Sequence, residues 1–155
     1  MMRILLISIM SLWMFWGVSF AQTHQTVQLE CGYEKLEIEL PEGFKEISIL
    51  PDEYEGCYFG YSYFGEDITL QGSIVTIMWC HNCSMHLSED CKIVTSDMLS
   101  LQGGNLYLCN SPICEQVRTP YYEYRLETGA FYISLIFPVE ALDTLMHIIN
   151  HIKHL

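Results

Sequence analysis

The sequence predicts a single α+β domain, an antiparallel-rich sheet packed by a C-terminal amphipathic helix, and two patterns carry that expectation. Short runs of alternating apolar and polar residues recur between turn signals, the period of half-buried strands. The chain then closes on Ala141, Leu142, Leu145, Ile148, Ile149, Ile152 and Leu155 at helical spacing, one apolar face that should lie against the sheet.

Ahead of this domain stands a stretch with the grammar of a secretory leader. Met1, Met2 and Arg3 give a short cationic start, Ile4 to Val18 an apolar run, and Ser19-Phe20-Ala21 a small-residue cleavage site. Residues 1–21 are therefore expected to be removed, leaving one globular domain over 22–155. The alternative is retention as an anchor, since Ile4 to Ala21 is about the minimum length of a spanning helix. No second apolar span follows, and the expected location is secreted or periplasmic.

Each element follows from local residue types. Val27, Leu29 and Cys31 alternate with polar residues, as do Leu36, Ile38 and Leu40, and Cys31-Gly32-Tyr33-Glu34 is the turn between these two strands. Pro41-Glu42-Gly43 stops the second strand, and Pro51 argues against a long central strand before Glu55. The aromatic stretch Cys57 to Phe64 suits a pleated surface. Ile74 to Trp79, apolar and rich in β-branched residues, is expected to be a central strand, whereas Cys80 to Lys92 is less regular. Asn105 to Cys109 is a short strand followed by a turn at Asn110-Ser111-Pro112. Tyr121 to Leu126 and Ala130 to Phe137 flank Glu127-Thr128-Gly129 as a hairpin, and Pro138 suits the first turn of the closing helix.

With the leader removed, six basic residues oppose nineteen acidic ones, a net charge of −13 against −12 for the whole chain. That disfavours a nucleic-acid partner and suits solubility outside the cell. Glu37, Glu39 and Glu42, with Asp52, Glu53 and Glu55, are the candidates for contacting basic partners or cations, but they lack the ligand spacing of a calcium loop. The expected partner is an unidentified protein or small molecule.

All seven cysteines follow Ala21, where an oxidising compartment makes them candidates for disulfides. Seven is odd, so at most three bridges form within the chain, with roughly 105 possible arrangements. Cys109 to Cys114 is the expected local bridge, because the proline turn between them brings the chain back. Each closed loop contributes about 2 to 4 kcal/mol.

Two further constellations are weighed against this structural use. As a thiol-disulfide oxidoreductase, the chain would use Cys80 as the attacking thiolate and Cys83 as the resolving thiol, with Trp79 bordering the substrate groove. As a zinc- or copper-binding protein it would use Cys80, Cys83, His86 and Cys91, whose order is close to a zinc knuckle but with a shortened gap before the histidine and no glycine. On the last helix His147, His151 and His154 fall in one row opposite the apolar face, a spacing that binds divalent metals weakly and otherwise makes a solvated polar face. Ser62 in Gly60-Tyr61-Ser62-Tyr63-Phe64 misses the hydrolase elbow at its last position. Asn82-Cys83-Ser84 fits a glycosylation acceptor that matters only in a eukaryotic source. No cofactor is expected in the structural reading.

Two resemblances bear on the fold. Leu36-Glu37-Ile38-Glu39-Leu40-Pro41-Glu42-Gly43-Phe44 resembles the opening strand and turn of small exported α/β/α sandwich proteins of the PsbP and Mog1-like type, and Tyr121 to Leu155 resembles the way they end. That resemblance covers about a third of the chain beyond the leader and implies a binding or accessory module, with no catalytic residues carried across. Competing with it, Ile74 to Trp79 followed by Cys80-His81-Asn82-Cys83 resembles the strand and cysteine pair of thioredoxin-like proteins, and Arg118-Thr119-Pro120 resembles their cis-proline loop. It implies a cis peptide before Pro120 facing Cys80, yet the upstream half lacks that family's βαβ pattern.

Overall fold

A computed structural model describes residues 22–47, 56–79, 87, 89–94, 99–111 and 114–155. Among them, ten strands and one α-helix build two antiparallel sheets over a shared core. β1 (His24–Cys31), β2 (Glu34–Pro41) and β10 (Lys153–His154) form the smaller sheet in the order β1-β2-β10. The larger contains β3 (Phe44–Ile47), β4 (Cys57–Tyr63), β5 (Ile74–Trp79), β6 (Cys91–Ile93), β7 (Asn105–Cys109), β8 (Tyr121–Thr128) and β9 (Phe131–Pro138), in the order β3-β4-β5-β9-β8-β7-β6. Helix α1 spans Leu142–Asn150.

Both long hairpins turn on two residues. Gly32 and Gly129 each take the first turn position with φ of +61° and +60°, the left-handed conformation that short hairpins demand. The second hairpin is therefore tighter than the sequence predicts, and β8 runs on to Thr128, which pairs with Phe131.

One face of the large sheet makes the main core. Val75 and Ile77 of β5, Tyr124 and Leu126 of β8, and Ile133, Leu135 and Phe137 of β9 meet Leu36, Ile38 and Leu40 of β2 and Leu145, Ile148 and Ile149 of α1. Alternation along each strand sends the neighbouring residues to the opposite face, where Cys109, Val117, Tyr121 and Ile136 form a second, smaller cluster.

The closing helix is shorter than its sequence pattern. Pro138 ends β9, a 3₁₀ turn over Val139–Ala141 leads into α1, and the helix stops at Asn150. Lys153 and His154 then turn into β10, opposite Glu37 and Leu36 of β2. His154 consequently leaves the expected histidine row and lies edge-on to Phe131, 6.3 Å between ring centroids. Pairing with the edge of β2 takes the place of a further helical turn.

Every strand pairing among the described residues is antiparallel, so the βαβ unit of the thioredoxin-like alternative is not formed there. The Thr119–Pro120 peptide is cis. Tyr121, next to Pro120, pairs with Pro138, whereas Trp79, next to Cys80, pairs with Phe131 at the far end of β9. Seven residues of strand separate those rows, about 23 Å at the usual rise. Cys80, Cys83 and His86, along with Asp52, Glu53 and Glu55, lie outside the described residues.

Candidate functional site

Two disulfides are formed among the described cysteines. Cys31 bonds to Cys57, joining the end of β1 to the start of β4 and so one sheet to the other. Cys91 bonds to Cys109, its directly opposite partner in the β6–β7 ladder. The expected Cys109–Cys114 bridge is thus not the one made, and Cys114 is an exposed free thiol. The antiparallel register of β6 and β7 sets Cys91 directly opposite Cys109, with Cα atoms 4.1 Å apart. Bonding to Cys109 also removes Cys91 from the proposed Cys80, Cys83, His86 and Cys91 ligand set, because a metal needs its thiolate.

Trp79, expected to border a substrate groove, is engaged structurally. Its indole Nε1 donates to Glu34 Oε2 at 3.1 Å, and the same oxygen accepts from the Ala130 amide at 2.9 Å. One carboxylate therefore fastens the β1–β2 turn to the β5 and β9 ends of the large sheet. Ser62 lies within β4 and not on a strand-to-helix elbow.

The opposite face of the large sheet holds a buried polar group. Glu123 on β8, 2% exposed, accepts from Arg125 Nε at 2.6 Å and from the Ser134 hydroxyl at 3.2 Å. Arg125 also lies over the Tyr107 ring at 6.0 Å and lines a cavity of about 350 Å³ with Gly104, Asn105 and Tyr132. The guanidinium neutralises the carboxylate it desolvates, which is the condition for keeping either charge inside.

A different cluster gathers the side chains best suited to ligand chemistry. The β10 register sets it up. Lys153 pairs with Glu37, so two residues earlier the chain brings His151 level with Glu39, and one helical turn before that comes His147. Glu39, His147 and His151 each place a donor atom so that all lie within 4.8 Å of one another. The Nε2 of His147 is 3.4 Å from Glu39 Oε2, is itself buried, and has no hydrogen-bond partner. His151 stacks on His147 with ring centroids 4.1 Å apart, and His24, at the start of β1, approaches His147 from the other side at 4.2 Å.

Hydrogen bonding orients part of this cluster. His151 Nδ1 lies 2.7 Å from the His147 carbonyl, a contact that is favourable only when Nδ1 carries the proton, so that in the neutral ring Nε2 is the nitrogen with the lone pair. Desolvation, then the neighbouring His147, holds His24 below the usual imidazole range against the opposite pull of Glu39. Neutral imidazole is the form that coordinates metals.

Of the row His147, His151 and His154, the first two are brought together and the third is not. Glu39 was legible only as one of several acidic residues, and His24 carried no signal at all, because its proximity depends on how β1 pairs with β2. The fold and sites define the chain as a disulfide-braced antiparallel α+β domain. No family model, curated protein or solved structure matches it.

Proposed function

We propose that the chain is an exported, non-catalytic domain that works by binding an external ligand or partner. The observation that carries this reading is the pair of bonds Cys31–Cys57 and Cys91–Cys109, since disulfides that brace strands persist in oxidising compartments. The leader-like residues 1–21 support the same destination. Residues 36–44 and 121–155, in their resemblance to exported PsbP and Mog1-like domains, support an accessory role over a catalytic one. Among the described residues no helix is long and apolar enough to cross a membrane.

Expression of the full chain with its own leader tests the reading. Export should yield a protein beginning at Gln22, and peptide mapping under non-reducing conditions should recover both bonds with Cys114 open to alkylation. A full-length cytosolic product with every thiol reduced would overturn it. A rapidly exchanging Cys80–Cys83 bond that reduces a disulfide substrate would instead establish the oxidoreductase reading.

A further inference from the structure

We propose that Glu39, His147 and His151, with His24 beside them, form a binding site for a divalent cation of the zinc or copper class. The inference deepens the binding role by naming a ligand. It requires the folded, disulfide-bonded domain but not export, so either reading can fail without the other.

The donor chemistry selects the ion. Imidazole nitrogen with a single carboxylate suits zinc and copper, whereas calcium and magnesium favour sites built wholly from oxygen. The spacing suits it too. Two ligands on a tetrahedral zinc ion, with bonds of about 2.0 to 2.1 Å, stand about 3.3 Å apart, and His147 Nε2 lies 3.4 Å from Glu39 Oε2. That nitrogen is buried without a hydrogen bond, a cost that coordination would remove.

Preorganisation comes from two directions. His151 donates Nδ1–H to the His147 carbonyl, the outer contact by which metal-binding histidines are commonly aimed. Glu39 is held in β2, whose register with β10 positions the helix end beside it. Lys153, the nearby cation, is drawn to Glu37 at 2.9 Å. Three protein ligands leave a fourth position for His24 or an outside group.

An ordinary helical histidine pair is the competing account, and Glu39 separates the two. Histidines at i and i+4 would bind equally with or without that carboxylate. The experiment is zinc titration by calorimetry of the untagged, oxidised protein after chelator treatment, with cobalt absorption reporting the ligand set. Zinc is the probe because it does not displace backbone amide protons, so a processed amino terminus leading into His24 supplies no rival site.

One zinc per chain is expected. His147→Ala and His151→Ala should each weaken binding at least tenfold, Glu39→Gln at least fivefold, and His154→Ala not at all. The four-coordinate cobalt spectrum should be lost in His147→Ala. Both histidines are only partly buried, so these variants should fold, and His151→Gln with an unchanged disulfide map provides a second check. Absence of binding, full binding by Glu39→Gln, or equal loss in His154→Ala would each overturn the proposal.

Discussion

Cys31 and Cys57 bond across the two sheets, from the last residue of β1 to the first of β4, with Cα atoms 5.9 Å apart. The bond closes a loop of 26 residues, and the loss of chain entropy in the unfolded state makes that worth about 3 kcal/mol. The Cys31→Ala/Cys57→Ala protein should therefore unfold at lower denaturant by about that amount, or roughly 10 °C lower on heating. Urea unfolding followed by tryptophan fluorescence reads this directly, since Trp79 lies opposite Cys57. A change under about 1 kcal/mol would mean that the sheets hold together without it.

Glu34 fastens the same end of the molecule by accepting from the Trp79 indole and the Ala130 amide. Hydrogen bonds to a charged acceptor contribute about 1.5 to 3 kcal/mol, so Glu34→Ala should destabilise by roughly that range. Two fasteners on one joint should not act independently. In the protein lacking Cys31–Cys57 the Glu34→Ala penalty should differ by more than about 0.5 kcal/mol from its value in the wild type, and strict additivity in the double-mutant cycle would show that the contacts are uncoupled.

Glu123 and Arg125 make the sharpest case for an asymmetric substitution. Removing the guanidinium strands a carboxylate that is 2% exposed, and Arg125→Ala should cost about 3 to 5 kcal/mol. Replacing both residues by apolar ones of similar volume, Glu123→Leu with Arg125→Met, removes both desolvated charges and should recover much of that loss. Chemical denaturation of the three proteins checks the order. An Arg125→Ala protein as stable as the double variant would mean that Glu123 carries no buried charge.

Seven of the ten described strands were legible because each writes its own local pattern, whereas the short β3, β6 and β10 were not. Ile74 to Trp79 forms a strand from its apolar, β-branched run, and the Tyr121 to Phe137 hairpin forms with a turn one residue shorter than its sequence suggests. What local pattern cannot express is pairing across distance. Cys109 looked toward Cys114 along the chain, while the β6–β7 register set Cys91 directly opposite. Helical spacing continued through Ile152 and Leu155, yet the vacant edge of β2 captured Lys153 and His154 and ended the helix early. The same capture assembled the histidine cluster. Sequence spacing displays two of its imidazoles, and only the strand register adds Glu39 and His24.

Tyr121 and Tyr124, both fully buried, set how the domain responds to alkali. Both phenols are pushed up to about 12, chiefly by burial and, at Tyr121, whose hydroxyl has no hydrogen-bond partner, also by the neighbouring Glu123. The native state therefore keeps protons that the unfolded chain releases near its ordinary phenol value of about 10. Between those values the unfolded state binds fewer protons, so stability must fall as pH rises through that window, and it is fully present below it. Tyr121→Phe removes one such group without breaking a hydrogen bond and should flatten the decline, the two proteins diverging as pH rises. Tyr124→Phe also loses the bond from its hydroxyl to the Leu101 carbonyl at 2.6 Å, so it should cost about 1 kcal/mol at neutral pH before flattening the alkaline limb. Urea unfolding across the window, in a background with Cys80, Cys83 and Cys114 all replaced by Ser to prevent thiolate exchange with the disulfides, measures both effects. A Tyr121→Phe difference that stays constant with pH would show that this phenol titrates alike in the folded and unfolded chains.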